Sequence, residues 1–354
     1  MNAGAAGQKR FGRYRMPYTL FDPQAEMLRR MRECAFEGRI RPGEDVSAWQ
    51  ENARRRLEKL LGLPFVQVPP ETEVCWTRER DGYTETRFVL YSEKDVRVPC
   101  HMLLPAGKKH GLPLMVCLQG HSTGMHISLG EPKFDGDQED IDGDRDFARQ
   151  AVRRGYAAMA LEQRAFGECG GTEKGPDCHQ PAVQALLLGR TLIGERCWDI
   201  RCALEAAKAL FKEIDFDRVA VMGNSGGGTT SFYAAALYPF IRAAMPSCAF
   251  SGFLPSIGGQ RHCICNYVPG IMKYFDMAEL AGLIAPRPLV IVSGIHDSIF
   301  PIDSAKEQFE IARERYYAPL GAEDRIYHVH GPHGHRFYAA ESWPVFEALS
   351  GWKK

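Results

Sequence analysis

Neither sign of charge predominates in this chain, no apolar run is long enough to span a bilayer, and the cysteines do not form a paired framework. Forty-four basic residues against forty-four acidic ones remove the broad attraction that nucleic acid or an anionic membrane surface requires. The run Arg54, Arg55, Arg56 is read as a solvated helix face. Residues 1–20 carry basic side chains without the apolar segment of a signal peptide, so the expected location is the cytoplasm. Eleven cysteines, an odd number scattered through apparent strands and helices, are expected to be mostly buried free thiols.

What is present suits a large folded core: 45% of the 354 residues are hydrophobic and 25% charged. Two helical patterns come first, one from Asp22 and Pro23 to about Phe36, the other capped by Ser47 with Gln50 and ending near Gly62. Runs at 87–91 and 96–104 read as an antiparallel hairpin around Glu93, Lys94 and Asp95. From Leu112 the rhythm changes to short apolar runs alternating with amphipathic helices. This is the pattern of a mostly parallel sheet with helices on both faces, an α/β fold. Strands are expected at 112–118, 156–161, 218–222, 243–248, 289–292 and 325–329, and a helix at about 196–212. With no repeat or linker, the expected organisation is an N-terminal helical extension (1–65) and one catalytic domain (66–354). Insertions at about 121–144 and 251–283 are placed to shape a site.

The strand at 218–222 runs into Gly223, Asn224, Ser225, Gly226, Gly227, a G-x-S-x-G sequence followed by a helix of small residues. A turn this tight excludes Cβ atoms beside the serine, lifts its hydroxyl above the sheet, and aims a helix N-terminus at it. Ser225 is therefore the candidate nucleophile, and the Gly226 N–H a candidate oxyanion donor. A serine hydroxyl needs a base, and the base an orienting carboxylate. Asp297, in the polar loop after the strand at 289–292, fits the acid, with Asp303 its nearest competitor. Four histidines crowd the last strand and the loop after it. His328 and His330 belong to the strand, while His333 and His335 lie on the loop and both remain candidates for the base. The turn Gln119, Gly120, His121, Ser122 follows the strand at 112–118, and the His121 amide is the expected second oxyanion donor.

Several segments resemble the bacterial acetyl xylan esterase-like and dienelactone hydrolase-like branch of the α/β-hydrolases, over nearly everything after about Ala48. They are Gly155 and Tyr156 leading to Arg164, Ala165, Phe166, Gly167 and Glu168; Asp217 and Arg218; Ala285, Pro286, Arg287 and Pro288; and Gly334, His335 with Phe337. The resemblance selects His335 as the base. It implies the α/β-hydrolase fold and hydrolysis of carboxylic esters, sugar acetates among them, through an acyl-enzyme without metal or organic cofactor. Gln119 and Gly120 depart from the His-Gly pair common at that turn in relatives.

Other constellations have their own readings. Arg261, His262, Cys263, Ile264, Cys265 offers soft metal or redox ligands, which Cys169, Cys178 and His179 can join only by folding, and is read as a pocket wall or packing motif. The four histidines 328, 330, 333 and 335 lack a completing carboxylate or cysteine for a metal site. The acids Asp135, Asp137, Glu139, Asp140, Asp142, Asp144 and Asp146 lack the spacing of a calcium loop and are read as solvated. Glu162 and Arg164 either border the site or form a structural ion pair. The expected partner is a small-molecule or carbohydrate ester, with neither nucleic acid nor membrane, and a homo-oligomer is left open. A peptidase or amidase of the same fold and a catalytically silent scaffold are the alternatives.

Overall fold

The computed structural model describes residues 23–69, 71–107 and 110–352. Asp22, read above as a helix start, and residues 1–20 lie outside them. The chain divides into two units, 1–34 and 35–354. In the first, helix α1 (Pro23–Arg32) buries no side chain and carries ion pairs from Arg29 to Glu26 at 2.8 Å and to Glu33 at 2.6 Å. It ends before the expected Phe36.

The second unit is built on nine strands: β1 (Thr72–Arg80), β2 (Tyr83–Glu93), β3 (Val96–Pro105), β4 (Leu112–Leu118), β5 (Ala157–Leu161), β6 (Ile214–Asn224), β7 (Ala243–Ser247), β8 (Leu289–Gly294) and β9 (Ile326–Gly331). Their order in the sheet is β1-β2-β3-β5-β4-β6-β7-β8-β9. Pairing is antiparallel from β1 to β5 and parallel across the remaining strands. The expected hairpin is β2–β3.

Along the central strands, alternate side chains enter two different cores. Leu114, Val116, Leu118, Val219, Val221, Leu289 and Ile291 face one; Met115, Cys117, Ala220, Met222, Val290 and Val292 face the other. The first core is closed by α2 (Val46–Leu61), α5 (Leu192–Leu210) and α6 (Gly226–Leu237) through Trp49, Leu57, Ile200, Leu204 and Phe232. The second is closed by α3 (Phe147–Arg153) and α9 (Ala339–Ser350) through Phe147, Trp343 and Phe346. Further helices are α4 (His179–Leu187), α7 (Met277–Gly282) and α8 (Ile302–Ala312). Each buried Leu, Ile or Val contributes about 1.5–3 kcal/mol, and a one-residue slip of any strand would exchange the two sets. Register is fixed accordingly, and with it the strand ends that carry the site.

Two local expectations need correction. The second helix is capped by Asp45, whose carboxylate accepts the Ala48 N–H at 2.8 Å; Ser47 lies inside the helix, and Gln50 donates instead to the Gly282 and Ala285 carbonyls. Asp45→Ala is expected to cost about 1 kcal/mol, read as a lower urea midpoint with an unchanged m-value. The long helix begins at Leu192 rather than near 196, because Thr191 accepts the Gly194 N–H at 3.0 Å.

The acid-rich first insertion is not simply solvated. Asp137 is 1% exposed and accepts from Thr123 Oγ1, from the His126 ring at 2.8 Å, and from the Lys133 and Phe134 amides at 2.8 Å each. It ties the insertion down onto the loop after β4.

Candidate active site

Ser225 sits between β6 and α6 at φ 54° and ψ −119°, a conformation that L-residues rarely adopt. A Cβ at Gly223 would come within 2.6 Å of the Gly227 carbonyl, and one at Gly227 would run into the Leu118 carbonyl. Only glycine permits this bend. Between buried Asn224 and the buried residues of α6, Ser225 alone is partly exposed. Its amide donates to Ser247 O at 2.8 Å, which pins the bend to the end of β7.

The acid and base arrive on the next two strand ends. Asp297, in the loop after β8, accepts the Ile299 and Phe300 amides through Oδ1 at 2.8 and 3.1 Å. Its Oδ2 lies 2.8 Å from His335 Nδ1. Burial raises the Asp297 pKa, but the His335 hydrogen bond and charge and the two amides outweigh it and hold the carboxyl below its ordinary value. The His335 ring stacks on Phe300, with centroids 6.0 Å apart and planes at 15°. Because Asp297 takes Nδ1, the free nitrogen is Nε2. No hydrogen bond joins Ser225 Oγ to His335 here; such contacts commonly tighten only around substrate.

His333 holds the loop by other means. Its carbonyl accepts the His296 amide at 2.9 Å, and its ring stacks on Tyr338. Asp303 is exposed in the first turn of α8, where a carboxylate complements the helix dipole. Neither reaches the Asp297–His335 pair. His328 bonds Ser293 Oγ at 2.9 Å, and no histidine quartet forms a ligand group among the described residues.

The loop after β4 passes over the serine bend. A Cβ at Gly120 would lie 3.1 Å from Ser225 Cβ, and one at Gly226 would meet the His121 ring at 2.8 Å. The N–H groups of Gly226 and His121 have no acceptor among the described residues. Gln119 turns away, donating to Ser128 Oγ and the Arg145 carbonyl at 2.8 and 2.7 Å.

Folding also assembles residues that the sequence left apart. Cys248, at the end of β7, places Sγ 3.3 Å from the Arg336 carbonyl and groups with Asp297 and His335. Burial first, then the Asp297 charge, pushes its thiol up to about 12, so it stays protonated. His262 stands edge-on to Phe300 at 5.4 Å, with its pKa lowered to about 4 by burial and by the charges of His121 and His335. Cys178, Cys263 and Cys265 meet, but the imidazole they meet belongs to His121, not His262; Cys169 and His179 stay outside the group. The acids 135–146 form no such group among the described residues.

Glu162 and Arg164 are not paired with each other. Arg164 bridges Glu93 and Asp199 at 2.8 Å each, with Glu195 at 3.3 Å. Glu162, 2% exposed, accepts the Met125 and Glu168 amides at 3.1 and 3.3 Å. Burial raises its pKa from 4.5 to about 7. A folded-state pKa above the unfolded value means that folding takes up a proton between the two, so this residue costs stability as pH rises from about 4.5 to about 7. Glu162→Gln removes that titration. The variant is expected to gain on the native protein across that window by on the order of 2–3 kcal/mol, read from urea midpoints at several pH values. A pH-independent difference would contradict it.

Cavities of about 360 and 210 Å³ lie beneath the first insertion, sharing His126, Lys133 and Glu168 in their walls. Neither is lined by Ser225, Asp297 or His335.

The family model described as the Abhydrolase family matches residues 8–319. The chain belongs to the Abhydrolase family. Among curated proteins it is 26% identical to YtaP of Bacillus subtilis (strain 168), named as a candidate hydrolase, over 285 residues, 80% of this chain and 92% of that one. Three solved structures share the fold. A candidate acetyl xylan esterase from Bacteroides fragilis NCTC 9343 superposes with a TM-score of 0.72 at 20% identity, covering 92% of this chain and 84% of that one. The glucuronoyl esterase from Solibacter usitatus gives 0.66 at 13%, covering 88% and 95%. Acetyl xylan esterase 1 from Thermoanaerobacterium sp. JW/SL YS485 gives 0.55 at 15%, covering 92% and 99%. The α/β-hydrolase fold expected from the sequence is the fold of this chain. Among the described residues, no helix is long and apolar enough to cross a membrane.

Proposed function

We propose that the protein is a serine hydrolase of carboxylic esters. The observation that carries this reading is the 2.8 Å Asp297–His335 contact, formed by the loops after adjoining strands β8 and β9 of the sheet whose β6 end holds Ser225 in a strained, partly buried bend. Ser225 Oγ attacks the ester carbonyl as its proton passes to His335 Nε2, and Asp297 steadies the imidazolium through Nδ1–H. The amides of Gly226 and His121 receive the oxyanion. Collapse of the tetrahedral intermediate releases the alcohol with the proton held by His335. Water then attacks the acyl-serine with the same imidazole as base, returning the enzyme and a carboxylic acid.

Carbohydrate esters, acetates among them, are the proposed substrates, supported by the acetyl xylan and glucuronoyl esterases that share the fold. Matched p-nitrophenyl acetate and p-nitroacetanilide test the bond class: the ester is expected to turn over and the anilide not. Comparable turnover of both would transfer the protein to the amidases.

A further inference from the structure

Three cysteines and one histidine from three separate loops converge beside the nucleophile. One ligand atom from each of His121, Cys178, Cys263 and Cys265 lies within 4.8 Å of the other three. His121 Nε2 is 3.3 Å from Cys265 Sγ, which is 3.2 Å from Cys263 Sγ. Tetrahedral zinc, with bonds of about 2.3 Å to sulfur and 2.0–2.1 Å to nitrogen, sets its ligand atoms about 3.5–3.8 Å apart, a spacing that lies between these two contacts and the 4.8 Å within which all four ligand atoms fall. The spacing is also far from a disulfide, whose sulfurs stand about 2.05 Å apart.

A second observation concerns charge. Arg196 is 1% exposed, and no carboxylate pairs with it among the described residues. Its guanidinium donates to the Arg164 carbonyl at 2.8 and 3.1 Å and to Cys178 Sγ at 3.4 Å, and lies 4.3 Å from the centre of the Phe166 ring. A buried cation without a counter-ion is costly. Three thiolates around a divalent cation carry a net charge of −1, and Arg196 cancels it.

We propose that His121, Cys178, Cys263 and Cys265 bind one zinc ion in a closed structural site, with Arg196 as its buried counter-charge. Four protein ligands leave no open position, which sets this site apart from catalytic zinc. The metal ties the loop after β4, the residue before α4 and the second insertion to one point. Coordination through Nε2 leaves the ring proton of His121 on Nδ1, and a Cβ at Gly226 would be only 2.9 Å from that atom. The ion thereby fixes the residue whose amide is aimed at the oxyanion. Binding replaces the thiol protons, so affinity falls as pH is lowered.

The inference stands apart from the esterase reading, because its readouts are metal content and absorption rather than turnover. Protein purified without chelator is expected to hold about one zinc per chain by elemental analysis. Chelated protein, reduced and kept from air, is then titrated with Co2+. A thiolate-to-cobalt charge-transfer band and intense ligand-field bands should saturate at about one equivalent and vanish on adding Zn2+. Cys178→Ser and Cys263→Ser should each weaken Co2+ binding at least about a hundredfold, Arg196→Met by about 10–100-fold, and exposed Cys75→Ser not at all. Native protein that holds no metal and shows no charge-transfer band with Co2+ overturns the proposal. So does a band that persists unchanged in Cys178→Ser, or a thiol count short by two together with failure to take up metal.

Discussion

Ser225→Ala is expected to lower kcat/KM for p-nitrophenyl acetate by roughly four to six orders of magnitude, while the urea midpoint stays where it was. The two halves of this expectation come from different facts. Catalytically, the hydroxyl forms the covalent bond, and no other described group on this strand end can replace it. Structurally, Ser225 Oγ makes no hydrogen bond among the described residues, and the strain at φ 54° belongs to the backbone, which alanine inherits unchanged. Residual activity close to that of the native protein would remove Ser225 from the reaction. Lost activity accompanied by a large fall in stability would mean that the hydroxyl serves the fold.

Asp297→Asn is expected to cost about 10⁴ in kcat, with KM changed far less. The amide fills the same space, and its carbonyl can still accept the Ile299 and Phe300 N–H groups. Its NH2, however, faces His335 Nδ1 and forces the imidazole proton onto Nε2, where it blocks uptake of the serine proton. The carboxylate is also held ionised by its partners, so the lost charge is one that the native site retains below the usual carboxylate range. Asp303→Asn, at an exposed helix start, should leave turnover unchanged. If the two variants exchanged behaviour, the acid would have been placed on the wrong element.

The parts of this molecule that the sequence makes legible are those set by local periodicity. Strand β4 is read from 112 to 118 and found there, because a parallel strand covered on both faces is an unbroken apolar run. The serine bend is legible for a related reason: the glycines it needs are adjacent in sequence. Strand β1 is not legible. Thr72–Arg80 is an edge strand with a bulge between Val74 and Trp76, and its pairing is reinforced by ion pairs from Arg78 and Arg80 to Glu85 rather than by alternating apolar residues. The cap at Asp45 was displaced by the nearby Ser47 and Gln50, whose spacing imitates a capping box while Gln50 is engaged with the Gly282 and Ala285 carbonyls.

Long-range assembly is harder still. His333 and His335 are chemically alike two residues apart, and only the path of the loop over β8 decides which one meets Asp297; the resemblance, not the spacing, named His335. The thiol cluster shows the same limit. Cys263 and Cys265 were visible as a pair, but the third sulfur comes from the start of α4 and the imidazole from the turn after β4, and no sequence spacing connects the three. His121 was singled out for its amide alone, whereas its ring faces the sulfurs.

The most direct test of the central claim is to treat the native protein with a fluorophosphonate and map the modified peptide by mass spectrometry. A single adduct on Ser225 is expected, formed in parallel with loss of ester turnover and absent in protein unfolded beforehand. Full turnover after treatment, or inactivation with the adduct on a different residue, would contradict the assignment of Ser225 as the nucleophile.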